Sequence, residues 1–237
     1  MVFAFAQRKD LRVNEELTIY ERLQQFVLFQ GMSRNELLQL AGNTRFGFQK
    51  MQEGKTVVRE GEACQQLYFM VSGEVAVTSM GSDHSYRMVE YFSAPWMFEP
   101  EALFGMSPRY RHTVSTHTDV HFITLTKDEV LRLLDDFLIF RLNLLNLMAT
   151  VAQRHAQRRW LRSARTLEEQ IIRFFVDHSV YPAGRKELYI LMQQLANEVG
   201  TTRLRVSQQL GILQQQGHLQ LFRGRIVIPA LEHLLMK

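Results

Sequence analysis

The side chains with the most evident chemistry lie in one short run near the C-terminus. The run holds two arginines, a glutamine and three hydroxyl side chains: Thr201, Thr202, Arg203, Arg205, Ser207 and Gln208. An arginine can bind guanine O6 and N7 and a glutamine can bind adenine, whereas hydroxyl and guanidinium groups also bind phosphate. The run therefore predicts contact with duplex DNA, with Arg203 on a base and Thr201, Arg205 and Ser207 mainly on phosphates.

The residues around this run have the spacing of a helix-turn-helix. Gly200 permits the positive φ that ends the first helix, and Thr202 is placed to cap the second helix. Ala196 is small enough to let the two helices cross closely. Five branched apolar residues would fix the angle between the helices: Leu195, Val199, Val206, Leu210 and Leu213. The first residues of the second helix are then the ones that reach base edges in the major groove.

A hairpin with a basic tip follows the second helix. Apolar runs at residues 219–222 and 226–228 flank Arg223, Gly224 and Arg225, which is the pattern of a wing whose arginines hold phosphate. Residues 153–237 contain 13 basic and 6 acidic residues, a net charge of +7, whereas residues 1–152 contain 15 and 18, a net charge of −3. A basic C-terminal third on a slightly acidic body indicates a nucleic-acid-binding module joined to another domain.

Residues 46–125 have the pattern of a small β-barrel or sandwich. Short runs rich in valine, phenylalanine, tyrosine and threonine alternate there with glycine-containing turns. Capping boxes formed by Ser33 with Glu36 and by Thr166 with Glu169 predict helices on either side of this region.

Residues 127–162 contain no glycine or proline and predict one long helix with a coiled-coil seam. The seam follows a 4-3-4-3-4 spacing: Leu138, Leu142, Leu145, Ala149, Ala152 and Ala156. A helix of about 35 residues would be about 50 Å long, which is too long to bury on one small barrel. We therefore expect a parallel homodimer through this seam; the alternative is that the seam packs on its own barrel.

Composition excludes several other classes of protein. Cys64 is the only cysteine, so an internal disulfide and a multi-cysteine metal or iron–sulfur site are excluded. No stretch of about 18 apolar residues is present, and the basic N-terminus lacks the apolar core of a secretion signal. We therefore expect a cytoplasmic protein without a membrane partner. No glycine-rich phosphate loop, nucleophile elbow or placed acid–base pair is evident, so we expect no enzymatic activity.

Taken in chain order, these elements resemble the cyclic-AMP receptor protein and fumarate-nitrate regulator family of bacterial transcription factors. In the barrel the matching residues are Gly54, Gly61, Glu62, Leu67, Tyr68, Phe69, Gly73, Glu74 and Val75. In the helix-turn-helix they are Leu195, Ala196, Val199, Gly200, Arg203, Val206 and Ser207. The resemblance covers nearly the whole chain.

This resemblance implies an α+β fold in three parts. They are a cyclic-nucleotide-binding-like β-barrel of the jelly-roll type in residues 1–126, a dimerisation helix in residues 127–162 and a winged helix-turn-helix in residues 163–237. It also implies a homodimer on a pseudo-palindromic DNA site, with half-sites about 34 Å apart. RNA polymerase is a candidate partner on the same ground.

The chain departs from the family where cyclic nucleotides bind. Members that bind them carry Gly-Glu-Leu-Ala and then Arg-Ser, which hold the ribose and the cyclic phosphate. This chain has Glu99, Pro100 and Glu101, then Arg111 and His112, so the Gly and the Ser are missing and Pro100 offers no N–H. We expect no cyclic nucleotide here and an ion pair from Arg111 to Glu99 or Glu101. These residues line a site for another small effector, or the barrel is only a dimer platform.

Two further departures bear on function. His117 and His121, with Asp119 between them, would share one face of a strand. The two histidines either face solvent or bind a metal or haem, in which case the protein would be a metal- or haem-dependent sensor. In the second helix of the helix-turn-helix, Leu204 and Gln208 stand where the family often has glutamate and arginine. We therefore predict a DNA site different from the family's commonest one, with Leu204 touching a thymine methyl or packing.

Overall fold

The computed structural model describes residues 19–81, 84–159 and 164–235. Near its start, a 3-10 turn at Val27–Phe29 precedes helix α1 (Arg34–Asn43). The Ser33 hydroxyl oxygen accepts a hydrogen bond from the Glu36 N–H at 3.3 Å, and the Glu36 carboxylate accepts one from the Ser33 N–H at 2.8 Å. This reciprocal pair confirms the first predicted capping box.

Eight strands form a jelly-roll-like sandwich. They are β1 (Gly47–Met51), β2 (Thr56–Val58), β3 (Gln66–Ser72), β4 (Glu74–Met80), β5 (Arg87–Ser93), β6 (Trp96–Met97), β7 (Thr113–Thr116) and β8 (Val120–Thr126). One sheet has the order β1-β8-β3-β6, and the other contains β5-β4-β7-β2. Val75 and Val77 of β4 point into the core, following the two-residue period of a strand with one buried face. The predicted α+β jelly roll is confirmed, although the two sheets do not close into one continuous barrel.

The helical region that follows the sandwich consists of two helices, α2 (Lys127–Asp136) and α3 (Leu138–Arg159). The prediction of one uninterrupted helix was therefore wrong. Phe137 adopts extended backbone angles, φ −125° and ψ 105°, and its ring is buried. The ring of Phe140 lies 5.4 Å from that of Phe29, which in turn packs on Phe69 of β3 at 5.5 Å. Burial of these rings on the sandwich therefore outweighs the helical propensity of residue 137.

The C-terminal module is a winged helix-turn-helix. It consists of α4 (Leu167–Asp177), β9 (Lys186–Tyr189), α5 (Met192–Glu198), α6 (Arg203–Gln215), β10 (Gln220–Phe222), β11 (Arg225–Ile228) and α7 (Glu232–Leu235). The Thr166 hydroxyl oxygen accepts from the Glu169 N–H at 3.2 Å and the Glu169 carboxylate accepts from the Thr166 N–H at 3.3 Å, which confirms the second capping box.

The sandwich and the C-terminal module share one sheet. Its full order is β10-β11-β9-β5-β4-β7-β2, because β9 pairs with the edge strand β5 in antiparallel register. In that register Met88 lies opposite Leu188 and Glu90 lies opposite Lys186. Met88 is buried in the same core cluster as Phe175. The two modules are thus joined by backbone hydrogen bonds as well as by side chains, which the sequence patterns did not predict.

Among the described helices, none has both the length and the apolar character needed to cross a lipid bilayer.

Candidate nucleic-acid interface and effector cavity

Helix α6 begins where the sequence predicts. Gly200 has a φ of +67°, which ends the preceding helical segment in the left-handed region. The Thr202 hydroxyl oxygen accepts from the Arg205 N–H at 3.4 Å and so caps α6. The predicted helix-turn-helix, formed by α5 and α6, is confirmed in its backbone.

The exposed face of α6 carries the residues predicted to contact DNA. Arg203, Arg205, Ser207 and Gln208 are all exposed, as are Thr202 and, at 67%, Leu204. The opposite face is anchored, because Val206, Leu210 and Leu213 are fully buried. Gln209 also donates a hydrogen bond to Glu168 of α4 at 3.1 Å. Two guanidinium groups and two polar side chains are therefore displayed on a rigidly held helix start.

The two wing arginines are placed differently. Arg223 is exposed in the turn between β10 and β11. Arg225 instead begins β11, with its guanidinium 3.5 Å from Glu187 and 4.7 Å from the centre of the Phe222 ring. Arg225 is therefore engaged within the module, and of the two arginines Arg223 is the one presented at the tip. Thr201 is half-buried and its N–H donates to the Ala196 carbonyl at 2.9 Å.

The four predicted effector residues come together beside the second sheet. His112 pairs with Glu99, and Arg111 pairs with Glu101, as the ion-pair prediction had it. The backbone N–H of Arg111 also donates to Glu99 at 2.7 Å. Glu99 adopts left-handed backbone angles, with φ 44°, just before a 3-10 turn at Pro100–Leu103. These side chains line a cavity of about 560 Å³, which we call the junction cavity.

The residues of this cavity do not fit a cyclic nucleotide. A cyclic phosphate needs free cations and N–H donors, but the Arg111 guanidinium is paired with Glu101 and His112 with Glu99. Pro100, at the first position of the 3-10 turn, has no N–H to donate. The two carboxylates on the same wall, Glu99 and Glu101, occupy the cations that a phosphate would need.

Sequence reasoning missed most of the junction cavity's lining. Ser79 of β4, Trp96 of β6, Val151 of α3 and Tyr181 of the loop after α4 all contribute, so both sheets, the helix and the C-terminal module share the lining. No short-range pattern signals this, because the lining comes from distant parts of the chain and Tyr181 reaches it only through the docking of the C-terminal module on β5.

The histidines at 117 and 121 do not share a strand. His117 follows β7 in the turn, 3.8 Å from Glu74 and with its ring 4.7 Å from that of Tyr91, whereas His121 is the second residue of β8. Asp119 in the same turn accepts a hydrogen bond from the Glu53 N–H. Within the described part of the chain, no three metal-ligating side chains are grouped as a metal site. The premise of a histidine strand was therefore wrong.

The predicted seam of α3 is exposed on the single chain. Leu138, Leu142 and Leu145 are 59%, 45% and 58% exposed, and the three seam alanines are also exposed: Ala149, Ala152 and Ala156. The buried side of α3 carries Phe140 and Leu144 instead. The alternative that the seam packs on its own sandwich is thus contradicted by the arrangement of α3.

These features define a class of protein: a jelly-roll sensor-type sandwich, followed by a long helix with an exposed apolar seam and a winged helix-turn-helix. Two family models match the chain, the cyclic nucleotide-binding domain over residues 48–137 and the Crp-like helix-turn-helix domain over residues 169–236. Together they match more than half of it. No curated protein matches the sequence.

Solved structures share the fold. The Thermus thermophilus catabolite activator protein superposes with a TM-score of 0.51 at 21% identity, covering 89% of this chain and 97% of that one. The sensor domain of the transcriptional regulator DNR from Pseudomonas aeruginosa gives a TM-score of 0.51 at 22% identity, covering 64% of this chain and 98% of that one. The chain belongs to the cyclic-AMP receptor protein and fumarate-nitrate regulator family of DNA-binding transcription regulators.

Proposed function

We propose that the protein acts as a homodimer that binds a pseudo-palindromic DNA site and is controlled by a small effector. The observation that carries this proposal is α6, which exposes Arg203, Arg205, Ser207 and Gln208 while Val206 and its neighbours anchor its other face. Arg203 at the helix start specifies a base, and the other polar side chains with Arg223 hold phosphates. The functional division is residues 1–126, 127–162 and 163–237. As a bacterial regulator it works in the cytoplasm, with RNA polymerase as its expected partner.

The exposed seam supports the homodimer. Three leucines lie about half exposed on one stripe of α3, at the spacing that packs two helices together. A second copy of α3 would cover them and would relate two α6 helices by a twofold axis. Half-sites about 34 Å apart follow from this symmetry. The cavity of about 560 Å³ favours an effector over a sandwich that serves only as a dimer platform.

Competition binding of the purified full chain to selected duplexes tests the DNA role. Arg203→Ala should relax base preference at one position of each half-site, while Arg223→Ala should weaken binding to all sequences equally. Because each lost phosphate contact lowers the salt slope by about 1, Arg223→Ala should lower it by about 2 in a dimer. Arg34→Ala, an exposed arginine on α1, is the matched control and should change neither. A salt-independent affinity, or a uniform loss from Arg203→Ala, would contradict these roles.

A further inference from the structure

The junction cavity has walls from three parts of the molecule. The sandwich contributes Ser79 and Phe92 from the sheet β5-β4-β7-β2 and Trp96 from β6 of the other sheet. Helix α3 contributes Leu147, Val151 and Arg154, and the end of α4 with the loop after it contributes residues 177–181. Its volume of about 560 Å³ lies in the range of sites for small organic molecules. A molecule in this cavity would therefore touch the sandwich, the helix and the DNA-binding module together.

The charges around the cavity are already paired. Glu99 is held by His112 and Glu101 by Arg111. The remaining charged lining residues, Arg154 and Asp177, are exposed and of opposite sign. Because Arg154 and Asp177 are exposed to solvent, a charge on a ligand among the buried lining residues would have to break one of the two inner pairs or remain unpaired, and both are costly. The electrostatics therefore favour an uncharged ligand.

The apolar lining favours a flat molecule. Phe92, Trp96 and Phe98 form a stacked row, with ring centres 4.3 Å and 5.5 Å apart and interplanar angles of 10° and 29°. Phe92 and Trp96 are only half-buried, so part of this row remains open to the cavity. Aromatic surfaces of this kind bind planar rings by stacking or edge contacts.

One polar group in the wall lacks a partner. The hydroxyl oxygen of Ser79 is buried and, among the described residues, has no hydrogen-bond partner. A buried hydroxyl without a partner is costly, and a ligand that supplies a hydrogen-bonding group would remove that cost. Ser79 therefore indicates one polar group on an otherwise apolar ligand.

Dimerisation leaves the cavity accessible. Leu147, Val151 and Arg154 lie on the opposite side of α3 from the seam residues Leu145 and Ala152, because a helix turns 100° per residue. A second α3 on the seam would not fill the cavity. The ligand site and the dimer interface thus use separate faces of one helix.

The loop that forms the third wall is tied to both modules by Glu90 of β5. The fully buried Glu90 carboxylate accepts from the N–H groups of Val180 at 2.6 Å and Tyr181 at 3.2 Å. The same carboxylate pairs with Lys186 of β9 at 2.7 Å. A ligand that contacts Val180 and Tyr181 therefore acts on the attachment of β9, which is the strand next to the wing.

We propose that the junction cavity binds an uncharged, flat, mainly apolar molecule with one hydrogen-bonding group, and that residues 178–181 transmit its presence to the DNA-binding module. This inference rests on the proposed function, because it gives the chemical class of the effector and the route of its action. Ser79 receives the polar group, and Phe92 and Trp96 contact the ring.

Calorimetric titration of the full-length protein with 2-naphthol tests the ligand class. The probe 2-naphthoate has the same rings with a carboxylate, and it should bind more weakly by about tenfold or more. Ser79→Ala should weaken 2-naphthol binding by about 2- to 10-fold, while Ser72→Ala, an exposed serine at the end of β3, should not. Val151→Trp should fill the cavity and abolish binding, whereas Thr150→Trp on the exposed neighbouring position should not. Absence of saturable binding, tighter binding of 2-naphthoate or cyclic AMP, or indifference to Ser79→Ala and Val151→Trp would overturn the proposal.

Hydrogen exchange tests the transmission. With 2-naphthol bound, the amides of Val180 and Tyr181 should exchange several times more slowly, and exchange that stays unchanged would overturn this part. Binding of duplex DNA by the ligand-free protein is measured in parallel at low salt. If DNA binds and 2-naphthol does not, the cavity proposal alone fails. If DNA does not bind, the proposed function fails whatever the cavity binds.

Discussion

The buried ion pair between β5 and β9 gives the sharpest test of how the two modules are held together. Lys186 and Glu90 are 2% and 0% exposed, and their charged atoms are 2.7 Å apart. The Lys186 ammonium also donates to the Ala183 carbonyl at 2.7 Å. The perturbation is Lys186→Met, which keeps most of the unbranched side chain but removes its charged end and both contacts.

The expected magnitude follows from what remains buried after the substitution. Removing one partner of a buried ion pair costs about 3–5 kcal/mol, because the other charge is left uncompensated. Glu90 still accepts two backbone N–H bonds, from Val180 and Tyr181, so Lys186→Met should cost about 3 kcal/mol, at the lower end. Glu90→Leu leaves the N–H groups of Val180 and Tyr181 without their acceptor, and it leaves the Lys186 ammonium with the Ala183 carbonyl but no counter-charge, so it should cost about 5 kcal/mol. For a chain of this size, 3 kcal/mol corresponds to a fall in Tm of about 6–12 °C.

The assay is thermal unfolding of Lys186→Met, of Glu90→Leu and of the double variant, together with hydrogen exchange at the amides that pair β5 with β9. The double variant Glu90→Leu/Lys186→Met should lose less free energy of unfolding than the two single variants lose together, because it leaves neither charge of the pair buried. Arg59→Met is the matched control. Its partner Glu62 is 4.0 Å away in a pair that is 68% and 52% exposed, so its effect should be within about 1 kcal/mol. If Lys186→Met cost no more than Arg59→Met, the buried pair would not hold the modules together.

Further predictions concern a carboxylate, the thiol and the seam. Burial raises the pKa of Glu187, but hydrogen bonds from Tyr189 and Arg185 outweigh this and hold the pKa below 4.5. The ionised Glu187 therefore stabilises the folded protein above about pH 4.5, and this stabilisation is lost as the pH falls through the lowered pKa. In urea unfolding, Glu187→Gln should lose less free energy of unfolding on acidification than the unaltered protein does. Burial raises the pKa of the Cys64 thiol, so a thiol reagent should label it slowly until the protein unfolds. Leu142→Glu should convert a dimer to a monomer in sedimentation, and an unchanged dimer would contradict the seam.

Short sequence patterns predicted those features that depend on interactions between residues close together in the chain. The helix caps at Ser33, Thr166 and Thr202 were predictable, because each hydroxyl accepts a hydrogen bond from the free N–H three residues later. This bond does not depend on where the helix lies in the fold. The positive φ of Gly200 and the buried face of α6 follow from glycine chemistry and from helical period in the same way. The exposed side chains of α6 were predicted with them.

The incorrect predictions concern residues at which tertiary contacts outweigh the conformational preference of the local sequence. Phe137 lies in a sequence with strong helical period, yet burial of its ring on the sandwich ends α2 there. Arg225 follows a turn glycine, which predicts a place at the wing tip, but it pairs with Glu187 on the neighbouring strand and lies in the sheet. The alternation of His117, Asp119 and His121 predicts one strand, because the turn that contains Thr118 and Asp119 lacks the glycine or proline that usually marks a turn.

The joined sheet is the feature that links these misses to function. Lys186 and Glu187 are adjacent charged residues, yet both are buried and paired. Lys186 pairs with Glu90 of β5, and Glu187 pairs with its near neighbour Arg185 and with Arg225 of β11. Glu90 and Lys186 lie opposite each other in the β5–β9 register, so a shift of that register would be expected to separate the pair and leave both charges buried without a partner. The same Glu90 holds the loop that forms the third wall of the junction cavity. Movement of this loop would first act on the hydrogen bonds from Val180 and Tyr181 to Glu90, so Glu90 and the joined sheet are the route from the cavity to the wing that our proposal predicts.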